Sequence, residues 1–114
     1  MKAAQRGDIW LLGLDPVKGH EQGGRRPCLV VSANPFNKSA AELIVVLPLT
    51  SQEKGVPSHV LVDPPEAGLK KKSYIKCEDI RSVSSSRLVK KYGSVSRDTM
   101  RKVEYCVCMI LDLL

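Results

Sequence analysis

The hydrophobic pattern of this chain changes period once, and that change fixes the kind of fold it can adopt. As far as about residue 77, short apolar runs recur roughly every ten positions, with no helical period between them. They cover residues 9–14, 28–32, 43–47, 60–62 and 73–77, and they are rich in Val, Ile and Leu. Asp15-Pro16 and Asp63-Pro64-Pro65 supply turns between them. Beyond Ser96 the spacing becomes three and four: Met100, Val103, Val107, Ile110, Leu111 and Leu114. Ser96 is placed to cap a helix, and Asp98 sits in its first turn. Short strands followed by one terminal helix predict a mainly β fold, a compact barrel closed by a helix. With 114 residues and no linker or repeat, one domain spanning 1–114 is expected. Tyr105, Cys106 and Met109 leave the helix little polar face, so it is expected to be covered on two sides, the second serving as a subunit interface.

Charge narrows the partners. Eighteen Lys and Arg against twelve Asp and Glu give +6, which favours polyanions but serves solubility equally well. The start, Met1-Lys2-Ala3-Ala4-Gln5-Arg6, lacks the apolar stretch of a signal peptide, and no run reaches the roughly 20 residues of a spanning helix. A cytoplasmic protein without membrane contact is expected. Cys28, Cys77, Cys106 and Cys108 have no metal-ligand spacing and read as free thiols, so neither metal nor cofactor is expected.

Residues 15–27 form a longer connection than a hairpin needs, and such loops are commonly functional. Gly19, Gly23 and Gly24 let the backbone come close to a ligand and turn N–H groups toward an anion. Arg25 and Arg26 end the loop with planar donors suited to phosphate, and Pro27 pins the chain where the next strand begins. Thr50 and Ser51, at the end of the third strand, either cap a turn or offer hydroxyls to a reacting phosphate beside Arg26. His20 and His59 fall in separate loops and read as surface residues. Lys70, Lys71 and Lys72 read as a solvated run that is also able to hold an RNA backbone. Trp10 alternates with apolar neighbours and reads as core rather than as a stacking platform.

Several of these segments together resemble a known family. Arg6-Gly7-Asp8-Ile9-Trp10, Leu14-Asp15-Pro16, Gly19-His20-Glu21-Gln22-Gly23-Gly24-Arg25-Arg26-Pro27 and Leu29-Val30-Val31-Ser32 are similar to the opening of the MazF/PemK toxins. Pro48-Leu49-Thr50-Ser51 looks like that family's second active-site element, and Ile80-Arg81-Ser82-Val83 with Arg87-Leu88 resembles its later strand and turn. The likeness runs from about Arg6 to the C-terminus. It implies an SH3-like β-barrel with a C-terminal helix, a homodimer, and sequence-selective cleavage of single-stranded RNA without a metal. It also implies a cognate antitoxin whose acidic, disordered tail covers the site. The family's catalytic arginine and threonine map onto Arg26 and Thr50. Glu21, Gln22, Gly24, Ser51, Asp79 and Arg81 map onto positions that bind RNA or support the site. One departure concerns specificity: Asp79 stands where the family commonly carries glutamine, and a carboxylate cannot donate a hydrogen bond and repels phosphate.

The chemistry of the residues agrees. RNA is cut when its 2′-hydroxyl attacks the adjacent phosphorus, leaving a 2′,3′-cyclic phosphate and a 5′-hydroxyl. The protein must align the groups, stabilise added negative charge and move two protons. Arg26 and Thr50 suit the charge. A guanidinium, with a pKa above about 12, is a poor base, so the base stays open, with Glu21 the nearest acceptor in sequence. The competing reading is a non-catalytic toxin on the same barrel that grips a protein such as DNA gyrase, since fold does not settle function. Such a binder has no need of the Arg26 and Thr50 pair.

Overall fold

A computed structural model describes residues 3–14 and 24–114. Seven strands, all antiparallel, build one barrel-like sheet: β1 (Asp8–Gly13), β2 (Arg25–Val30), β3 (Leu43–Thr50), β4 (His59–Val62), β5 (Ser73–Lys76), β6 (Arg81–Ser84) and β7 (Leu88–Ser94). Their order is β4-β5-β3-β2-β1-β7, with β6 also on β3; among the described residues no ladder joins β4 to β7. Among the described residues there are two α-helices, the short α1 (Asn34–Asn37) and the C-terminal α2 (Arg97–Leu111). The expectation of strands followed by one terminal helix therefore holds. β7 escaped the pattern because Lys90, Lys91 and Ser94 are exposed and its pairing with β1 is interrupted by two register shifts, which blurs the period of two.

The sheet buries both faces. Ile9, Leu29, Leu47 and Leu49 point inward with Val60, Ile75 and Val103 of α2. Trp10, Leu12, Cys28, Val30, Ile44 and Val46 form a second cluster on the opposite face, closed by Ala4, Leu14 and Leu88. Trp10 is 7% exposed, the core residue expected. Its indole N–H donates to Asp8, whose buried carboxylate also accepts from Gln5 N at 2.9 Å and Ser94 Oγ at 2.9 Å. Gly7, at φ +95°, donates to Val30 O and accepts from Val95 N. The Gly7-Asp8-Ile9-Trp10 stretch is thus a structural clasp between both chain ends and the sheet.

Ser96 caps α2 as expected, its hydroxyl accepting from Thr99 N at 3.1 Å. One side of the helix packs through Val103, with Met100, Cys106 and Val107 against the inner cluster. The second side is uncovered in the single chain: Tyr105, Met109, Ile110 and Leu111 are all exposed. No helix of the described residues is long and apolar enough to cross a membrane.

Candidate functional site

The site begins with a proline. β2 and β3 pair through Val30↔Val46, Leu29↔Leu47 and Cys28↔Pro48. Pro48 has no N–H with which to continue the ladder. Beyond it, β3 leaves β2 and pairs with β5 through Leu49↔Ile75 and Thr50↔Tyr74, while β2 stays on β1 as far as Gly13↔Arg25. The two strands diverge, and the same register continued by two residues sets Arg26 against Thr50 across the opening. Both side chains lie on the face that carries Cys28 and Val46, because alternate residues of a strand share a face. Both are half-buried, and Ser51 beside them is exposed.

Arg26 sits inside β2 rather than in a loop, so the backbone that carries it is fixed. Leu14 N donates to Gly24 O at 2.8 Å, and Gly24 takes φ +71°, a turn that favours glycine at the strand entry. Thr50 Oγ1 accepts from Gln52 N at 3.2 Å. The capping role and the functional one are compatible, since accepting leaves the hydroxyl proton to donate elsewhere.

Arg26, Thr50 and Ser51 separate two depressions and line both. The smaller, about 120 Å³, is polar and is completed by Gln52, Lys54, His59 and Lys76. The larger, about 540 Å³, extends over Ser73 toward Lys70, Lys71, Lys90 and Lys91.

His59 sits where sequence reasoning did not place it. It opens β4, opposite Lys76 of β5, and its side chain is only 4% exposed, so it is no surface histidine. Nε2 lies 3.0 Å from Glu78 Oε2, and Glu78 Oε1 accepts from Ser58 Oγ at 2.8 Å. Burial alone would raise the Glu78 carboxyl. The hydrogen bonds it accepts from Ser58, the backbone and His59 outweigh that and hold it below its usual value. A carboxylate partner selects the tautomer with the proton on Nε2, which leaves a lone pair on Nδ1. That nitrogen is buried and has no partner among the described residues. The pairing of β4 with β5, a tertiary event, brings His59 and Glu78 together across nineteen positions.

The other expected site residues divide. Glu21, Gln22 and His20 lie outside the described residues. Asp79 and Arg81 share the face of Arg26, since Arg81 pairs with Val46, but neither lines the two depressions. They are joined to each other: Arg81 Nη2 donates to both Asp79 oxygens, at 2.9 and 2.7 Å. The acid that replaces a glutamine therefore meets its counter-charge two residues along the chain. Cys28, near these charges, is no nucleophile: burial pushes its thiol up to about 12. Burial and the neighbouring Cys106 raise Cys77 as well. All four cysteines are free, and among the described residues no group of His, Cys, Asp and Glu could hold a metal ion.

Comparison with known proteins gives one consistent result. A family model described as the PemK-like, MazF-like toxin of type II toxin–antitoxin systems matches residues 5–111. Endoribonuclease MazF9 of Mycobacterium tuberculosis (strain ATCC 25618 / H37Rv) is 35% identical, over 96% of this chain and 97% of that protein. The crystal structure of MazF (Form-I) from Deinococcus radiodurans superposes with a TM-score of 0.86 at 29% identity, covering 98% of this chain and 99% of the other. An endoribonuclease in complex with its cognate antitoxin, from a mycobacterial species, has a TM-score of 0.77 at 25% identity, covering 98% and 96%.

Proposed function

Because the chain belongs to the PemK-like, MazF-like toxin family of type II toxin–antitoxin systems, we propose that it cuts single-stranded RNA at the opening between β2 and β3. The observation that carries this reading is the register that sets Arg26 against Thr50, with His59 on the wall of the same small depression. The RNA phosphate sits between Arg26 and Thr50. The guanidinium neutralises the charge that builds on the phosphate oxygens, and the threonine hydroxyl donates one further hydrogen bond. The proton of the 2′-hydroxyl is assigned to His59 Nδ1, a buried atom that RNA must uncover on entering the small depression, while ionised Glu78 holds Nε2 and stabilises the imidazolium that forms. The 2′-oxygen bonds to phosphorus as the bond to the 5′-oxygen breaks. The departing oxygen takes its proton from water at the exposed side formed by Ser51, Gln52 and Lys54. The products are a 2′,3′-cyclic phosphate and a 5′-hydroxyl.

This donor set handles charge and protons with no Lewis acid, so a metal-independent reaction is part of the proposal. Glu21, Gln22 and Gly24 are assigned to the RNA beside the cut, and the Asp79–Arg81 pair to support of β6 against β3. The uncovered apolar side of α2 is assigned to a homodimer, and a cytoplasmic antitoxin with an acidic, disordered tail to inhibition at the basic surface. The test is incubation of the purified protein with a long single-stranded RNA in EDTA. Discrete fragments, suppressed by stoichiometric antitoxin, are expected. Intact RNA would overturn the reading.

A further inference from the structure

We infer that the larger depression is a backbone-binding subsite which holds the RNA strand on one side of the cut through its phosphates alone, without reading bases. The inference rests on the endoribonuclease reading above and assigns residues that the chemistry does not use.

Two separate lysine pairs meet there, and the fold brings them together at a cost in side-chain room. Gly68, at φ +70°, lies so close to β7 that a Cβ on it would sit 2.4 Å from Tyr92 O. Gly93 answers from the other side, where a Cβ would lie 2.7 Å from Ala67 C and O. Only glycines allow this approach, and its result is that Lys70 and Lys71 border the same hollow as Lys90 and Lys91. The basic run is also fixed from its far end. Ser73 Oγ donates to Lys71 O at 3.1 Å, and Tyr74 pairs with Thr50, which ties the run to the catalytic threonine.

The electrostatics suit a polyanion. With Arg26, five cations among the described residues border the hollow, and no acidic side chain among them lines it. Lys70, Lys71 and Lys90 are exposed and form no ion pair among the described residues. Lys90 Nζ stands 5.5 Å from the Tyr92 ring centroid, and Lys91 Nζ lies 3.5 Å from Asp8. The volume, about 540 Å³, falls within the range of about 300–1,000 Å³ usual for ligand sites. Its polar lining consists almost wholly of ammonium groups, hydroxyls and a guanidinium. Ammonium groups are point charges that hold phosphate without distinguishing bases. The hollow joins the small depression at Arg26, Thr50 and Ser51, so a strand with its cut phosphate there runs directly over the lysines.

The test compares the Lys70→Gln/Lys71→Gln/Lys90→Gln variant with a control of equal charge loss elsewhere, Lys38→Gln/Arg97→Gln/Lys102→Gln. Binding of a 2′-O-methyl oligoribonucleotide, which cannot be cut by 2′-hydroxyl attack, is followed against salt, and cleavage of a long RNA is followed in parallel. The cleft variant should lower the slope of log affinity against log salt by about 2, at roughly 0.7 per cation lost on a single strand. It should raise KM about tenfold at low salt and leave kcat at saturation unchanged; the control should keep both slope and KM. Equal effects of the two variants would reduce the result to net charge and overturn the inference. So would an unchanged slope, including the case in which only antitoxin binding weakens and the hollow proves to be a protein dock. Loss of slope in a protein that never cuts RNA would leave the subsite standing and refute the endoribonuclease reading instead.

Discussion

The two depressions on either side of Arg26 and Thr50 share three residues and differ in how they are built. The smaller is built from single residues on different elements, each held by a partner: His59 by Glu78, Glu78 by Ser58, Thr50 by Gln52. The larger is built from backbones pressed together at Gly68 and Gly93, with long cations above them that need no fixed geometry. Chemistry requires positioned groups, whereas holding a flexible polyanion requires charge density. Substitutions in the first should therefore change kcat, and substitutions in the second KM and salt dependence.

The largest effect belongs to the shared wall. Arg26→Ala should lose about 2.7–4 kcal/mol of transition-state stabilisation, a hundredfold or more in kcat, by analogy with deletion of an oxyanion donor. Thermal unfolding should stay close to wild type, since the side chain is half-buried at a strand end. Near-normal single-turnover cleavage by the folded variant would remove Arg26 from the chemistry.

His59→Ala comes next, with a loss of about a hundredfold, the usual contribution of a general base. The pH profile separates this from a structural role. Glu78 is held below its ordinary value of 4.5, so it stays ionised across pH 5 to 8, and the acidic limb of kcat belongs to the imidazole alone. His59→Ala should abolish that limb, and Glu78→Gln should move it to lower pH, because a neutral amide no longer stabilises the imidazolium. An unchanged limb in both variants would return His59 to the bystander role that its loop position suggested.

The smallest effect tests the wall of the larger hollow. Glu66, two residues before Gly68, accepts from Ser96 N at 2.9 Å and Thr99 Oγ1 at 2.7 Å. Burial opposes its ionisation, but those bonds prevail and hold its carboxyl below 4.5. A depressed carboxyl contributes stability above its unfolded pKa and loses it as pH falls through the folded value. Glu66→Gln should cost about 1 kcal/mol in denaturant unfolding near neutrality, a modest figure for a partly exposed group. The difference from wild type should shrink as pH falls below 4.5 and vanish once the folded carboxyl is protonated, with kcat intact. A kcat loss would mean that the two depressions are not separable.

The fold was legible where period and punctuation were clear: β1 to β5, the Ser96 cap and the helix after it. β7 was not, since a half-exposed strand with bulges has no clean alternation. In the site, Arg26 and Thr50 were legible through family resemblance, whereas their apposition rests on the β2–β3 register and on the parting of the strands beyond Pro48, which only the pairing reveals. His59 was not legible, because its burial arises from β4 lying on β5, a tertiary event without local signature. The lysine pairs were visible as charge runs, but their meeting depends on two glycines twenty-five positions apart in the chain, at Gly68 and Gly93.

The most direct measurement is the chemical identity of the cut ends, mapped on a long RNA in EDTA for wild type, Arg26→Ala and His59→Ala side by side. Wild type should leave 2′,3′-cyclic phosphate and 5′-hydroxyl ends, and both variants should leave the same ends far more slowly. Ends bearing a 5′-phosphate, or cleavage that disappears with the chelator, would contradict attack by the 2′-hydroxyl at Arg26, Thr50 and His59.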